Sequence, residues 1–592
     1  MKTKFNPLDS SYLPLLRRLW SHISKRRRYQ LLFLVILMAI VSFMEIVSIG
    51  LVLPFLGALT APEIIFNSAY IAPFIKLARI ESPSEILLPL TITFISSALV
   101  TGLFRIFLLF LNTRVSFMAG ADFGLDIYRK TLYQPYSIHC SRNSSEIIAG
   151  ITNKANSIIY SVLLPFLNIL SSSFLLIAII GLLVYLYPFV AMISIIIFGS
   201  IYGLIIYLNH KKLKENSHKI AEDTTFLIKS LQEGLGGIRD TLVSSNQEIY
   251  CSIYQKADAS LRVAQASNLF IAGCPRFIVE SFGMIVIACL AYSATRNNFT
   301  LSELIPTLGI MAYAAQKLFP VLQLAYGSWS AIQSSIASLE DILHLLDQKL
   351  PIFANKKKIK PLNFKKNIVL RNVYFKYSTN SSYALKNINF EIKRGSRLGV
   401  IGKTGSGKST FLDLVLGLLV PTKGSMYIDN KLLRSNNQHS WSLNIANVPQ
   451  TIFLTDGTIE ENIAFGLPKN KIDLDLVRSA ASQAMLADDI ESWPLKYKTL
   501  VGERGIRLSG GQRQRIGIAR ALYKQAKIII FDEATSALDY KTERSVMNTI
   551  HNLSNDLTII IVAHRLSSLK ICSEIIEIKN GEVKRKKVKI LK

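Results

Sequence analysis

The sequence predicts an all-α six-helix transmembrane domain followed by an α/β domain. Three observations carry that reading. Six apolar runs, each of the ~20 residues that a bilayer crossing takes, lie in the first part of the chain. The composition then changes to interleaved polar and apolar residues of soluble type. Within that second part, a glycine-rich loop joins an apolar strand to an apolar helix.

The totals agree with a split chain. Its 592 residues exceed one folding unit of usual size. Half of them are hydrophobic and only 18% are charged. The net charge is +28, from 68 Lys and Arg against 40 Asp and Glu. Such a balance fits a nucleic-acid binder, but it also fits a membrane protein whose Lys and Arg gather on cytoplasmic segments facing an anionic leaflet. The long apolar runs favour the second, so no nucleic-acid partner is expected. Cys140, Cys251, Cys274, Cys289 and Cys572 form no CxxC pair and read as free thiols.

The six spans are Leu31–Leu56, Ile86–Leu111, Ile158–Tyr185, Phe189–Leu208, Leu269–Tyr292 and Leu304–Gly327. A tight turn at Tyr187-Pro188 separates the third from the fourth, and Gln316, Lys317 and Gln323 interrupt the last. The first run is too long for the apolar region of a signal peptide and no A-x-A site closes it, so it reads as a retained helix. Ahead of it, Tyr12–Ile23 mixes Leu and Trp with Arg, which suits a helix on the inner membrane surface. Basic residues crowd the segment before the first span and the connection between the fourth and fifth. The loop after the first span has only Lys76 and Arg79 against three glutamates. The positive-inside rule therefore puts both termini of a multi-pass protein in the cytoplasm, and the expected membrane is the bacterial inner membrane. The connections at 112–157 and 209–268 are too long for structureless loops and read as helices that extend beyond the bilayer. The expected division is a cytoplasmic segment 1–30, the membrane domain 31–346, a Lys-, Asn- and Pro-rich linker 347–366 and the soluble domain 367–592.

The soluble domain carries the chemistry. Gly402-Lys403-Thr404-Gly405-Ser406-Gly407-Lys408-Ser409 fits G-x-x-x-x-G-K-[ST], between the strand Leu398–Ile401 and the helix Thr410–Leu418. Glycines let backbone N–H groups wrap phosphates, the helix N-terminus adds its dipole, the lysine reaches the β and γ phosphates and the serine binds Mg²⁺. Ile528–Phe531 is an apolar strand ending in Asp532-Glu533. Carboxylates at that end of an open α/β sheet face the ligand; Asp532 is placed to hold Mg²⁺ and Glu533 to polarise the attacking water. Leu508-Ser509-Gly510-Gly511-Gln512 precedes that strand and opens another helix, a second anion-binding surface.

LSGGQ between the phosphate loop and the acidic strand resembles the signature of ABC ATPases. The soluble domain is thus similar to an ABC ATP-binding domain of the P-loop class, and further positions match in order. The resemblance implies that Tyr377 stacks on adenine and that Thr410 borders the phosphates. It implies that Gln450, in the loop after Val448-Pro449, joins the metal and catalytic groups. Val501–Gly505 precedes the signature, Ser536-Ala537-Leu538-Asp539 is the D-loop and His564 is the switch histidine. In this family two such domains sandwich two ATP molecules, each between the phosphate loop of one chain and the signature of the other. One ATPase domain and six spans per chain therefore imply a homodimer. The order of the domains resembles an exporter, with Asn143–Thr152 and Gln232–Asp240 implied to contact the ATPase domains.

For the cargo, Gln134-Pro135-Tyr136-Ser137, Arg142–Glu146 and Glu45 with Pro54-Phe55-Leu56 look like the flippases of lipid-linked oligosaccharides and their polysaccharide-export relatives. Those flippases have a short external helix, expected here at Asn67–Ile80. Exporters of other lipids, hydrophobic drugs or peptides share the architecture and form the alternative. ABC-type ATPases acting on DNA or ribosomes are excluded by the six spans. Ionisable residues inside a membrane are costly and often functional. Arg105, Arg276 and Lys317, with Glu45, are candidates to line a substrate cavity and grip a pyrophosphate. The structural alternatives are an Arg276–Glu280 pair four residues apart, in the weaker orientation, and an Arg105 that pairs with Glu45 or snorkels to headgroups.

Overall fold

The structure, a computed structural model, describes residues 12–60, 62–67, 82–186, 188–296, 301–355, 359–378, 380–534, 538–563 and 569–586. The chain forms two compact units: residues 1–132 with 142–349, and residues 133–141 with 350–592.

The first unit is all helix. An amphipathic helix α1 (Tyr12–His22) leads into α2 (Lys25–Gly50), followed by α3 (Leu87–Leu132), α4 (Leu164–Leu186), α5 (Pro188–Gly236), α6 (Gln247–Arg296), α7 (Leu301–Gln333) and α8 (Ile336–Leu346). The helical stretches Lys25–Leu59, Leu87–Leu132 and Ser144–Tyr185 are long and apolar enough to cross a membrane. The remaining three apolar runs lie on α5, α6 and α7. Helices of 46, 49 and 50 residues outlast the ~20 residues of a bilayer crossing, which is why the connections rich in Lys and Glu are helical too. Two π-helical turns, Gly150–Lys154 and Ile159–Leu163, interrupt the run into α4. Within the connection 209–268, expected to be helical, the helix breaks at Gly237, after which Ile238–Val243 forms a separate turn. Most of the expected external helix Asn67–Ile80 lies outside the described residues.

Leu15 and Leu19 on α1, and Ile23 just past its end, fall four apart and form one stripe. That stripe is buried with Leu34, Ile127, Leu163 and Ile342. Arg18 and His22, on the polar side of α1, both bond the carboxylate of Asp347 just past α8, His22 at 2.8 Å. Burial raises the Asp347 carboxyl, but the bonds from Arg18 and His22 outweigh it and hold the group below the usual range.

The second unit is α/β. Strands β1 (Asn367–Phe375), β2 (Leu385–Lys393), β4 (Lys423–Ile428) and β5 (Lys431–Leu432) form an antiparallel sheet in the order β2-β1-β4-β5. The second sheet joins β3 (Arg397–Ile401), β6 (Ile445–Val448), β7 (Ile528–Asp532), β8 (Thr558–Val562), β9 (Glu574–Lys579) and β10 (Glu582–Lys586) in the order β10-β9-β3-β8-β7-β6. Its parallel core strands are buried on both faces, and so read as unbroken Ile and Val runs. Ile528 and Ile530 pack towards α9 (Lys408–Val415) and the antiparallel sheet. Ile529 and Phe531 pack on the other face, against a helical layer of α10 (Ile459–Ile463), α11 (Leu474–Gln483) and α12 (Gly510–Tyr523). A further helix, α13 (Tyr540–His551), follows β7.

Two stretches join this unit from outside the expected domain limits. Leu362 and Phe364, in the Lys- and Pro-rich stretch, are buried in its core. The nine residues Tyr133–Ser141 also belong to it, whereas Asn143–Thr152 lies in the first unit. The Tyr133 ring sits 6.0 Å from Phe353, which stacks on His439 at 5.1 Å. The Tyr136 phenol is pushed up to about 12 by a bond with the Cys140 side chain, by burial and by the charge of Asp413 on α9.

Candidate active site

The phosphate loop hangs between β3 and α9. Gly402, Gly405 and Gly407 have φ of +155°, +79° and +107°, a region that favours glycine. Space enforces the choice at two of them: a Cβ on Gly402 would lie 2.4 Å from the Ile578 carbonyl oxygen, and one on Gly407 2.8 Å from that of Ala384. Lys408 is buried, and its Nζ donates to the Gly402 carbonyl at 2.7 Å and to that of Lys403 at 3.2 Å. Lys403, Thr404 and Ser409 are exposed around the cradle. The Ser406 hydroxyl is buried with no bonding partner among the described residues. Tyr377 stands half exposed, its hydroxyl 3.0 Å from that of Thr410 and its ring edge-on to Phe375.

The acidic strand end faces this loop. Burial raises the Asp532 carboxyl, the neighbouring Glu533 adds to the rise, and Lys408 opposes it. Glu533 has φ of +50° and donates its N–H to the Val562 carbonyl at 3.0 Å. Its carboxylate accepts from Gln450 Nε2 at 2.8 Å. Sequence reasoning missed Asp413, one turn into α9: burial and the Asp532 charge raise its carboxyl to about 6. Its proximity to Asp532 depends on a strand more than a hundred residues away.

The signature lies apart. Ser509 caps α12: its hydroxyl accepts from the Gln512 N–H at 3.1 Å, and the Gln512 side chain accepts from the Ser509 N–H at 3.0 Å. This reciprocal box was legible as S-x-x-Q. Gln512 also donates to Asp489, which Arg515 holds at 2.7 Å. Among the described residues, no hydrogen bond joins Ser509, Gly510, Gly511 or Gln512 to the phosphate loop, and α12 packs on α10 and α11. His564, Ser536 and Ala537 fall outside the described residues; Asp539 caps α13.

The ABC transporter family model matches residues 385–536 and the ABC transporter transmembrane region matches residues 31–316. The ATP-dependent lipid A-core flippase of Saccharophagus degradans is 30% identical over 523 residues, 86% of each chain. The chain belongs to the ABC transporter family. It is a half-transporter, with one membrane domain and one ATPase domain, and it couples ATP hydrolysis to export across a membrane. The multidrug resistance-like ATP-binding protein MdlA of Buchnera aphidicola is 30% identical over 480 residues, 79% of this chain and 81% of that one. A bacterial Atm1-family ABC exporter solved with ATP bound shares the fold, with a TM-score of 0.75 at 21% identity over 94% of both chains.

In the transporter's membrane unit, three of the four intramembrane candidates come together. Glu45 on α2 is 2% exposed and accepts from Lys317 Nζ on α7 at 2.8 Å and from Arg105 on α3 at 3.3 Å. Glu45 and Arg105 border a cavity of about 350 Å³ that Asn112, Asn168 and Ser172 also line. The Asn112 Oδ1 and Ser172 Oγ are buried with no bonding partner among the described residues. Arg276 is elsewhere: its Nε donates to Glu280 Oε1 at 2.7 Å, with the Arg276 side chain exposed and that of Glu280 half-buried. A separate, almost wholly apolar cavity of about 510 Å³ is lined by Phe198, Tyr202, Tyr326 and Trp329.

Proposed function

We propose that the transporter works as a homodimer and moves a lipid-linked oligosaccharide, or a closely related glycolipid, outward from the cytoplasmic side. The observation that carries this reading is the cavity beside Glu45. Arg105, half exposed beside the Glu45 carboxylate, offers a cation to a phosphate there, while amides and hydroxyls with unmet bonding capacity suit sugar hydroxyls. The apolar cavity adjoining α7 suits the lipid part. Relatives named lipid A-core flippases agree with a lipid cargo. The second reading, export of a hydrophobic drug, draws on that same apolar cavity and on the MdlA relative. Both termini lie in the cytoplasm on this proposal, and the membrane is the bacterial inner membrane.

Each ATP is held by the phosphate loop and Tyr377 of one chain and by Ser509–Gln512 of the partner, since within one chain these groups are not joined. Lys408 neutralises phosphate charge. Glu533 orients the attacking water and takes up its proton, and Gln450 holds the Glu533 carboxylate in place. Ser409, Gln450 and Asp532 offer three oxygens of the kind Mg²⁺ takes, and the raised Asp532 carboxyl is one that a cation would relieve. When bound, Mg²⁺ offsets charge on the phosphate oxygens.

The test is ATPase stimulation in lipid nanodiscs. A polyprenyl-pyrophosphate oligosaccharide should raise turnover several-fold in the unaltered protein and fail to do so in Arg105→Ala. Stimulation by a hydrophobic drug or a neutral glycolipid, with none by the pyrophosphate lipid, would refute the cargo assignment.

A further inference from the structure

The membrane unit holds a third cavity, of about 600 Å³, between α1, α2 and the turn that leads into α4. Its wall is almost wholly apolar and includes Leu31, Val35, Leu163 and Phe166. Charged and amphipathic groups enter at one level. Along α2 the lining passes from Arg28 and Tyr29 in the first turn to Val35 two turns on, ~10 Å of rise at ~1.5 Å per residue. Arg17 and Trp20 of α1 complete that polar rim.

The cations near the rim divide into three groups. Arg18 and Arg27 are paired, with Asp347 and Asp122. Arg28 is turned back onto α1, donating to the carbonyls of Trp20, Ser21 and Ile23 at 3.0 Å and lying 5.8 Å over the Trp20 ring. Arg17, Lys25 and Arg26 are exposed, and among the described residues none has an acidic partner. Trp20 and Tyr29 are exposed as well, aromatic types that settle at a headgroup boundary. An apolar slot with Arg17 and interfacial aromatics on its rim, and with Lys25 and Arg26 exposed nearby at the start of a membrane-crossing helix, is complementary to a lipid with a negative headgroup.

We propose that this slot binds one anionic phospholipid, with an acyl chain along Leu163 and Phe166, the phosphate at Arg17, and Lys25 and Arg26 adding attraction. The orientation given above decides only which leaflet supplies it. Since α1 is tied to Asp347 beyond α8, the lipid would brace α1 against the helix that leaves the membrane.

Native mass spectrometry of the full chain, titrated with phosphatidylglycerol or with phosphatidylcholine, tests this. One phosphatidylglycerol should bind with a preference of about fivefold or more, the scale of a single interfacial basic residue. Arg17→Gln, a change at an exposed side chain, should remove most of that preference, and Leu163→Trp should block the bound lipid by filling the slot. Equal binding of the two lipids overturns the proposal. So does an Arg17→Gln variant that keeps the full preference, or a Leu163→Trp variant that keeps the lipid but loses self-association, which would make the slot a contact between copies.

Discussion

Replacing Lys317 by methionine should destabilise the membrane domain far more than replacing Arg105 by alanine. The two cations share the Glu45 carboxylate but not its surroundings. Glu45 is 2% exposed, with Lys317 at 2.8 Å; Arg105 is 3.3 Å away with half of its side chain exposed. Breaking a buried pair strands a charge and costs ~3–5 kcal/mol. With Arg105 still nearby, the low end, ~3 kcal/mol, is expected for Lys317→Met. The longer Arg105 contact, on a side chain that borders the cavity, should be worth less, ~1 kcal/mol or below. Neutralising both partners, in Glu45→Gln with Lys317→Met, should recover most of the larger loss, because no charge then stays buried alone. Unfolding by SDS in bicelles reads all three. Equal losses for Lys317→Met and Arg105→Ala, or a double variant as unstable as the sum of its singles, would show that Glu45 does not depend on Lys317.

Three further outcomes follow from the ATPase domain. Glu533→Gln should retain ATP binding and lower turnover by ~10²-fold or more, whereas Lys408→Ala should weaken ATP binding itself; nucleotide binding and phosphate release separate the two. Cysteines placed at Ser406 and Ser509 should crosslink between chains when ATP is present, and crosslinks within one chain would contradict the shared sites. Asp413→Asn should stabilise the nucleotide-free protein in a pH-dependent way. The native carboxyl is raised to about 6 by burial and by Asp532, so its ionisation is disfavoured in the folded state. Asp413 is therefore harmless at acid pH and costs stability as pH rises through that value. The gain in melting temperature should be larger at pH 8 than at pH 5, and an equal gain at both would discount the buried charge.

Much of this was legible in the sequence wherever a motif dictates its own geometry. A loop that needs positive φ at Gly402 and Gly407 announces itself, as do Ile and Val runs buried on both faces of a sheet. The Arg276–Glu280 pair was equally readable, since four residues make one helical turn. What escaped depends on contacts between distant segments. Lys317 meets Glu45 across 272 residues, and no periodicity encodes that meeting. Asp413 seemed an ordinary helix residue until β7 placed Asp532 beside it. Tyr133–Ser141 is grouped with the ATPase unit; its Pro-Tyr and His-Cys residues carry no composition signal for that grouping.

Reconstituted transport addresses the central claim most directly. Proteoliposomes loaded on one leaflet with a fluorescent polyprenyl-pyrophosphate oligosaccharide should show ATP-dependent movement to the other leaflet, absent in Glu533→Gln and strongly reduced in Arg105→Ala. Transport of this lipid without ATP or undiminished in Glu533→Gln, or ATP-driven movement of a hydrophobic drug while the glycolipid stays in place, would contradict the account.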